Sequence, residues 1–247
     1  MKYPAIVLSL NEIMFYFTRA AVGAGLPYGL AEDFGRSSIW IASSGFDPAQ
    51  ITSNALKYLD EEKSSVSAIQ TEIGSETILK PSQEKQLSAL FAGPSVCDWI
   101  LEKKVVSNNT LKFVAKKIDH PFLIAAAVGS LNYGNWEICW QDSGGNICTV
   151  LTCKQGNWKT LWEENEISQQ NCPADVLIKF VENSLLSSEK WIDKPTYSDK
   201  NRQNVLESGV PLYEAWPLVQ KLFSRCLVPS TKESHKSGAG AGLVDTD

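Results

Sequence analysis

Three side chains could form a nucleophilic centre: Cys97, His120 and Asp119. A thiol in the first turn of a helix is favoured as a thiolate by the positive end of the helix dipole, and a nearby histidine could take its proton. Asp119 or Asp98 could then orient the imidazole ring. The spacing along the chain does not test whether these groups meet, and a core cysteine with a structural His-Pro turn accounts for them more simply. The three residues are therefore catalytic candidates, and no metal cluster is predicted.

A second set of residues could bind an anion. Only four arginines occur in the chain, and Arg19 and Arg36 lie in the first and second predicted helices. A guanidinium can form two parallel hydrogen bonds to a carboxylate or a phosphate. Glu32 lies four residues before Arg36, which by itself predicts a routine surface ion pair. If Arg19 and Arg36 instead face one cleft, they would suit an anionic small molecule such as a carboxylate.

A third candidate is the Gly-rich C-terminal segment, residues 229–247, with the sequence PSTKESHKSGAGAGLVDTD. Its alternating Gly and Ala residues would let backbone N–H groups approach a ligand or a partner chain closely. The segment is not a dinucleotide-binding fingerprint, because no predicted strand precedes it and no predicted helix follows. Composition alone also fits a disordered terminus, since terminal stretches rich in Gly, Ser and Lys are usually unstructured.

The elements that would position these residues begin with helices. Ser9 and Glu12 form a capping box, in which each side chain binds a free N–H at a helix start. Asp47 is expected to cap the third helix, and Pro48 occupies a position there that needs no N–H. With a second helix between them, residues 1–62 are predicted to be a helical subdomain.

Strand signals dominate the middle of the chain. Residues 66–73 are a possible strand, and a helix is predicted around residues 84–91 and broken at residues 92–94. Ser95 is then expected to cap a further helix, with Asp98 in the reciprocal position. The later candidate strands are residues 111–117, 122–128, 136–140, 147–153 and 158–162. An antiparallel meander is the simplest topology for these strands.

The C-terminal third mixes all three structural states. Residues 176–181 fit a last strand or the start of a helix, because periodicity alone does not distinguish them. Residues 194–208 are predicted to be a loop. Residues 211–226 read as an amphipathic helix, in which Pro217 marks either a kink or the true first turn. The predicted fold class is α+β, with an N-terminal helical subdomain, a central mostly antiparallel sheet, a C-terminal helix and a Gly-rich tail.

Bulk composition limits the functional classes. Hydrophobic residues make up 43% and charged residues 21% of the chain, as in ordinary globular proteins. The length suits a single domain, residues 1–247, divided into the helical subdomain 1–62, a mixed α/β core at 63–228 and the tail 229–247. The formal charge of −5 argues against nucleic-acid binding through a basic face. No apolar window of about 18 residues predicts a membrane span.

Cysteine usage and the N-terminal sequence indicate the compartment. Six cysteines occur without a C-x-x-C pair, so neither a zinc knuckle nor a redox motif is indicated. Pro4 and Glu12 bracket the short apolar run near the N-terminus and no small-residue cleavage site follows, which predicts no secretory signal. A cytoplasmic location is therefore expected, and no cofactor is predicted.

Several segments resemble an uncharacterised bacterial family catalogued as domain of unknown function family 3726. They are SLNE at 9–12, RAAVGAG at 19–25, GLAEDFGR at 29–36 with Trp40, AGPSVCD at 92–98, DHP at 119–121, and the tail. The resemblance implies that matching positions are important without naming a reaction. The implied ligand-binding candidates are Arg19, Glu32, Arg36, Ser95, Asp98, Arg225, Ser234, Gly238, Gly240, Gly242 and Asp245.

The tail departs from the family pattern at two positions. His235 stands where the family has arginine, and Thr246 replaces an asparagine. If that arginine binds an anion, this member's binding is altered. The first two helices also resemble the N-terminal helical region of malate/lactate-type dehydrogenases that lack a Rossmann domain, although the Ser-His-Gly segment of those enzymes is missing. That second likeness concerns the fold alone.

Two functional hypotheses follow from these residues. In the first, the chain is a small-molecule enzyme, or an accessory to one, that acts on an anionic metabolite, with the tail folding over a cleft lined by Arg19, Arg36 and His120. In the second, it is a non-catalytic interaction protein whose tail docks into a partner. A homo-oligomer or a protein partner is compatible with either hypothesis.

Overall fold

Helices and strands alternate in blocks along the chain. The computed structural model describes residues 4–103, 112–153, 158–160, 173–181, 192–194 and 199–227. The helices are α1 (Leu10–Gly23), α2 (Tyr28–Ser43), α3 (Pro48–Asp60), α4 (Ala89–Lys103), α5 (Phe122–Ser130), α6 (Asp199–Ser208) and α7 (Trp216–Ser224). The strands are β1 (Ile6–Leu8), β2 (Ser64–Ser65), β3 (Ala68–Ile73), β4 (Glu76–Pro81), β5 (Gln86–Leu87), β6 (Lys112–Ile118), β7 (Trp136–Gln141), β8 (Ile147–Thr152), β9 (Trp158–Thr160), β10 (Ala174–Phe180), β11 (Ile192–Lys194) and β12 (Val210–Leu212).

Local capping signals fix the starts of α1 and α3, as the sequence predicts. The Ser9 hydroxyl oxygen accepts the Glu12 N–H at 3.3 Å, and the Glu12 carboxylate accepts the Ser9 N–H at 2.7 Å. The Asp47 carboxylate accepts the Ala49 N–H at 2.8 Å and a further N–H from α3. Each contact satisfies backbone donors that a helix start otherwise leaves unpaired.

The described strands form a ten-stranded sheet and a separate two-stranded pair. The main path runs β11-β9-β8-β7-β10-β6-β4-β3, with β2 and β5 attached to one side. Antiparallel pairing holds along this path except between β4 and β6. The mostly antiparallel α+β fold is therefore confirmed. Residues 176–181 resolve as strand: β10 lies between β6 and β7 and is antiparallel to both.

Helices α4 and α5 cover one face of the sheet. The Trp99 ring of α4 lies 5.1 Å from the Phe113 ring of β6 and 6.2 Å from the Trp136 ring of β7, measured between centroids. Helix α2 packs in turn on α5, where Gly129 meets the indole of Trp40. One continuous apolar core joins α1–α5 and α7 to the inner face of the sheet.

Two sequence-based predictions for the middle region are wrong. The segment 122–128 is helix α5 and not a strand, because it is buried on every side and its uniformly apolar sequence carries no periodicity. Helix α4 runs unbroken through Pro94. The small residues before that proline serve close packing instead, since a Cβ on Gly93 would lie 2.8 Å from the Ala127 Cβ of α5.

Two further boundaries differ from the sequence prediction. The helix expected at 84–91 begins only at Ala89, because β5 comes first and pairs with β2 and β6. The loop expected at 194–208 contains α6, a polar helix whose sequence offers no apolar stripe. The C-terminal helix is confirmed, and it starts at Trp216 with Pro217 in its first turn. Within the described residues, no helix is long and apolar enough to cross a membrane.

Candidate functional site

Two adjoining cavities lie between α2 and α5, and α4 also lines the first of them. The first, of about 250 Å³, is lined mainly by α2, α4 and α5: Asp33, Arg36, Ser37, Pro94, Cys97, Asp98, Leu101, Ala127, Ser130 and Leu131. The second, of about 190 Å³, is lined by Arg36, Ile39, Trp40, Ser43, Ser130 and Asn132. Arg36 and Ser130 belong to both linings, so the Arg36 side chain lies between the two spaces.

The first cavity is acidic. Arg36 donates to the Asp33 carboxylate one turn earlier on α2, so the predicted pairing of Arg36 with Glu32 is replaced by a pair with Asp33. Burial raises the pKa of the Asp98 carboxyl, and the negative charge of Asp33 raises it further. Two carboxylates therefore face this space against one guanidinium.

Cys97 lines the first cavity but is not prepared as a nucleophile. Burial raises the pKa of its thiol well above the usual range, and the charges of Asp33 and Asp98 add to that rise. The residue lies in the middle of α4 and not in its first turn, so the helix start does not stabilise a thiolate. Ser95 is likewise not a cap, because its hydroxyl donates to the Phe91 carbonyl at 3.0 Å.

The second cavity carries one charged residue in its lining, Arg36. Ser43, Ser130 and Asn132 supply neutral polar groups, and Trp40 supplies an apolar wall. Gly129 leaves room for that wall, because a Cβ there would lie 2.5 Å from an indole carbon of Trp40. The arrangement combines a positive charge, hydrogen-bonding groups and an aromatic surface, which suits a small anion with an apolar part.

The other two arginine candidates lie on a different side of the helices. The Arg19 guanidinium is 3.8 Å from the centroid of the Phe15 ring, which packs against α7. Arg225 donates both terminal nitrogens to the Asp60 carboxylate and one of them to the Gly23 carbonyl at 3.0 Å. Among the described residues, Arg19 and Arg36 therefore line no common cleft.

Asp119 and His120 form a separate buried cluster. The Asp119 carboxylate accepts the Ser64 hydroxyl at 2.6 Å and the Ala89 N–H at 2.8 Å. The His120 Nδ1 atom is 3.3 Å from the Asp119 carboxylate without the alignment of a hydrogen bond, and the ring packs edge-on against Tyr58. Asp119 holds Ala89, the first residue of α4, and Cys97 lies eight residues further along that helix, an axial rise of about 12 Å from Ala89.

Sequence reasoning missed several residues of the cavities. Ser37, Ser43, Ser130 and Asn132 stand inside helices or at a helix end, where isolated polar residues give no signal. The tail candidates Ser234, Gly238, Gly240, Gly242 and Asp245 lie outside the described residues. Within the described part, no group of three or more His, Cys, Asp or Glu side chains is placed to hold a metal ion.

A family model described as "Protein of unknown function (DUF3726)" matches residues 8–78. The resemblance to DUF3726 is thus confirmed over residues 8–78, and the matching segments at 92–98, 119–121 and in the tail lie outside this range. Residues 8–78 contain α1–α3, β2, β3 and the first residues of β4, so the DUF3726 match includes Arg36 and the α2 side of both cavities. No curated protein sequence matches the chain.

Solved structures share the fold at very low sequence identity. The malate dehydrogenase of Pyrococcus horikoshii OT3 aligns with a TM-score of 0.63 at 9% identity, over 94% of this chain and 99% of that chain. A dehydrogenase from Sinorhizobium meliloti gives 0.57 at 10% identity, over 89% and 99%. The Δ1-piperideine-2-carboxylate reductase of Pseudomonas syringae pv. tomato gives 0.52 at 8% identity, over 90% and 100%. The likeness shows that the chain shares the fold of these proteins.

Proposed function

We propose that the chain binds an anionic small molecule at Arg36, in the second cavity, as a metabolic enzyme or an accessory to one. The observation that carries the proposal is the composition of that cavity, in which Arg36 is the one charged residue of the lining. A carboxylate there would meet a guanidinium and neutral polar groups. In the adjoining space it would meet the carboxylates of Asp33 and Asp98, which repel it.

The state of Arg36 fits such a role. Its hydrogen bond to Asp33 runs through Nη1, and within the described residues no hydrogen bond engages its Nε or Nη2. The side chain is 58% exposed, so a ligand can reach it. The hydrogen bond to Asp33 through Nη1 restrains the guanidinium and leaves Nε and Nη2 available to a ligand.

The compounds in the names of the structurally similar proteins support an anionic ligand. Malate and Δ1-piperideine-2-carboxylate, which appear in the names of two of those proteins, both carry carboxylates. Both compounds are anions, and we propose no particular reaction on this basis.

Replacing Arg36 tests the proposal directly. We expect Arg36→Gln to weaken binding of malate or lactate at least about tenfold in isothermal titration calorimetry, because a charge-assisted hydrogen bond is lost. Arg19→Gln is the matched control, since Arg19 lies against Phe15 and away from both cavities. Binding that is absent from the unaltered protein, or equal in the two variants, would contradict the proposal.

The proposal also gives the tail a role, in which residues 229–247 close over the bound anion. A chain without residues 243–247 is then expected to show smaller ligand-induced thermal shifts than the full chain. Equal shifts would remove the tail from the proposal and leave the Arg36 site intact. The two variants therefore test separate parts of the same idea.

A further inference from the structure

Strand β3 ends the main path of the sheet and offers an open edge. It pairs with β4 on one side, and no strand of the described residues pairs with the other side. Five of its six residues are exposed. Ile69 and Ile73 are 46% and 65% exposed. Their side chains lie on the face of the β3–β4 hairpin that also carries Ile78 of β4.

The outward backbone groups of this edge can be identified. The Ser82 N–H donates to the Ser67 carbonyl at 3.1 Å, just beyond the Ala68–Pro81 pair. Hydrogen-bonded and non-hydrogen-bonded pairs alternate in an antiparallel ladder. Ile69, Thr71 and Ile73 therefore direct their backbone groups toward β4. The outward donors and acceptors belong to Ala68, Gln70 and Glu72.

This edge carries few of the features that usually prevent strand addition. Natural edges are protected by charged side chains, by proline, or by a bulge or strong twist. The one charged residue of β3 is Glu72, whose carboxylate accepts a hydrogen bond from the Lys103 ammonium at 3.2 Å. Strand β3 has the sequence AIQTEI, which contains neither lysine nor proline, and its six pairs with β4 follow one another without a register shift. Three of its residues are β-branched, which favours strand pairing.

We propose that β3 pairs antiparallel with β3 of a second copy of the chain, about a two-fold axis through Thr71. Because Ala68, Gln70 and Glu72 carry the outward groups, each must pair with an outward residue of the other copy. A two-fold axis can then pass through Ile69, Gln70, Thr71 or Glu72. These four registers place different side chains together.

Side-chain chemistry selects the Thr71 axis. It places Ile69 opposite Ile73 of the second copy, twice, in close non-hydrogen-bonded pairs. It also places the amide of Gln70 opposite the carboxylate of Glu72. An axis through Glu72 would set two carboxylates against each other, and an axis through Ile69 or Gln70 would leave Ile73 without an apolar partner. The interface is self-complementary, as two-fold symmetry requires.

Sedimentation velocity tests the assembly. The unaltered protein is expected to sediment with twice the 27.2 kDa mass of the chain. Gln70→Pro removes an outward N–H while leaving the hydrogen bonds to β4, so it should give a monomer. Ile73→Lys should do the same if the proline variant fails to fold. Ile147→Lys is the matched control, because Ile147 is 72% exposed on β8, and this variant should remain dimeric.

Cross-linking tests the register. Thr71→Cys places two thiols across the axis, at a Cα separation of about 4.5 Å that a disulfide can span. Mild oxidation should therefore link this variant and not the unaltered chain, which carries only its native cysteines. A link through Gln70→Cys in place of Thr71→Cys would overturn the register. A monomeric unaltered protein, including one whose edge is covered by its own chain, would overturn the proposal.

Discussion

Asp119 joins two distant parts of the chain through one buried carboxylate. It accepts the hydroxyl of Ser64 from β2 and the first N–H of α4 from Ala89, and the residue is fully buried. A buried donor that loses its acceptor costs about 1–3 kcal/mol. We therefore expect Asp119→Ala to lower the unfolding free energy by about 3–5 kcal/mol in urea titrations.

A matched variant separates the two contacts of Asp119. Ser64→Ala removes one of the hydrogen bonds and leaves the other, so its cost should be about 1–2 kcal/mol. If Asp119→Ala proves no more destabilising than Ser64→Ala, the carboxylate does not hold the start of α4. The two measurements need only the unligated protein.

At the scale of single residues, the sequence identifies which residue types could act, but not which of their side chains lie close together in the fold. Arg36 is a candidate from sequence because arginines are scarce in the chain, and the structure places it between two cavities. The approach of Cys97 to His120 could not be tested from spacing. In the structure, Asp119 accepts the first N–H of α4, eight residues before Cys97, and this long-range contact has no local signature in the sequence. Ser43 and Ser130 line the same cavity only because α2 packs against α5.

At the scale of elements, Arg225 joins the ends of three helices. It follows α7 and binds Asp60 at the end of α3 and the carbonyl of Gly23 at the end of α1. This contact lowers the pKa of Asp60. A lowered carboxyl pKa means that the ion pair stabilises the fold above the unfolded value near 4 and is lost as the pH falls through the folded value.

Arg225→Gln should therefore destabilise the protein in a pH-dependent way. The pair is partly exposed, so we expect a loss of at most about 1 kcal/mol at pH 7, measured by urea titration. The difference from the unaltered protein should shrink below about pH 4, where Asp60 becomes protonated. A difference that is the same at pH 3 and pH 7 would assign the effect to the Gly23 contact instead.

Elements were predictable from sequence where local chemistry determines them. The starts of α1 and α3 depend on side chains within three residues, so Ser9, Glu12 and Asp47 reveal them. Helix α5 could not be recognised, because a segment buried on all sides has no polar face to reveal its period. Helix α4 contradicted its local signal, because it continues through Pro94, and Gly93 beside that proline lets α5 approach closely.

At the scale of the molecule, the helical region and the sheet share one core. Trp40 of α2 packs against Phe122 and Gly129 of α5, while α5 and α4 lie on the sheet. Strand β1 at the start of the described chain pairs with β12 near its end. No layer of polar side chains separates the two regions among the residues of this core. The division at residue 62, expected from sequence, is therefore predicted not to be a boundary in unfolding.

Native-state hydrogen exchange in dilute urea measures this cooperativity. Peptides from α2 and from β10 should exchange through the same global opening, with free energies that agree within about 1 kcal/mol. The Gln70→Pro variant is the suitable sample, since a monomer removes the concentration dependence that dimerisation would add. If α2 exchanged at a free energy lower by about 2 kcal/mol or more, the helices would unfold as an independent unit. The apolar contact of Trp40 with α5 would then be too weak to couple the helical region to the sheet.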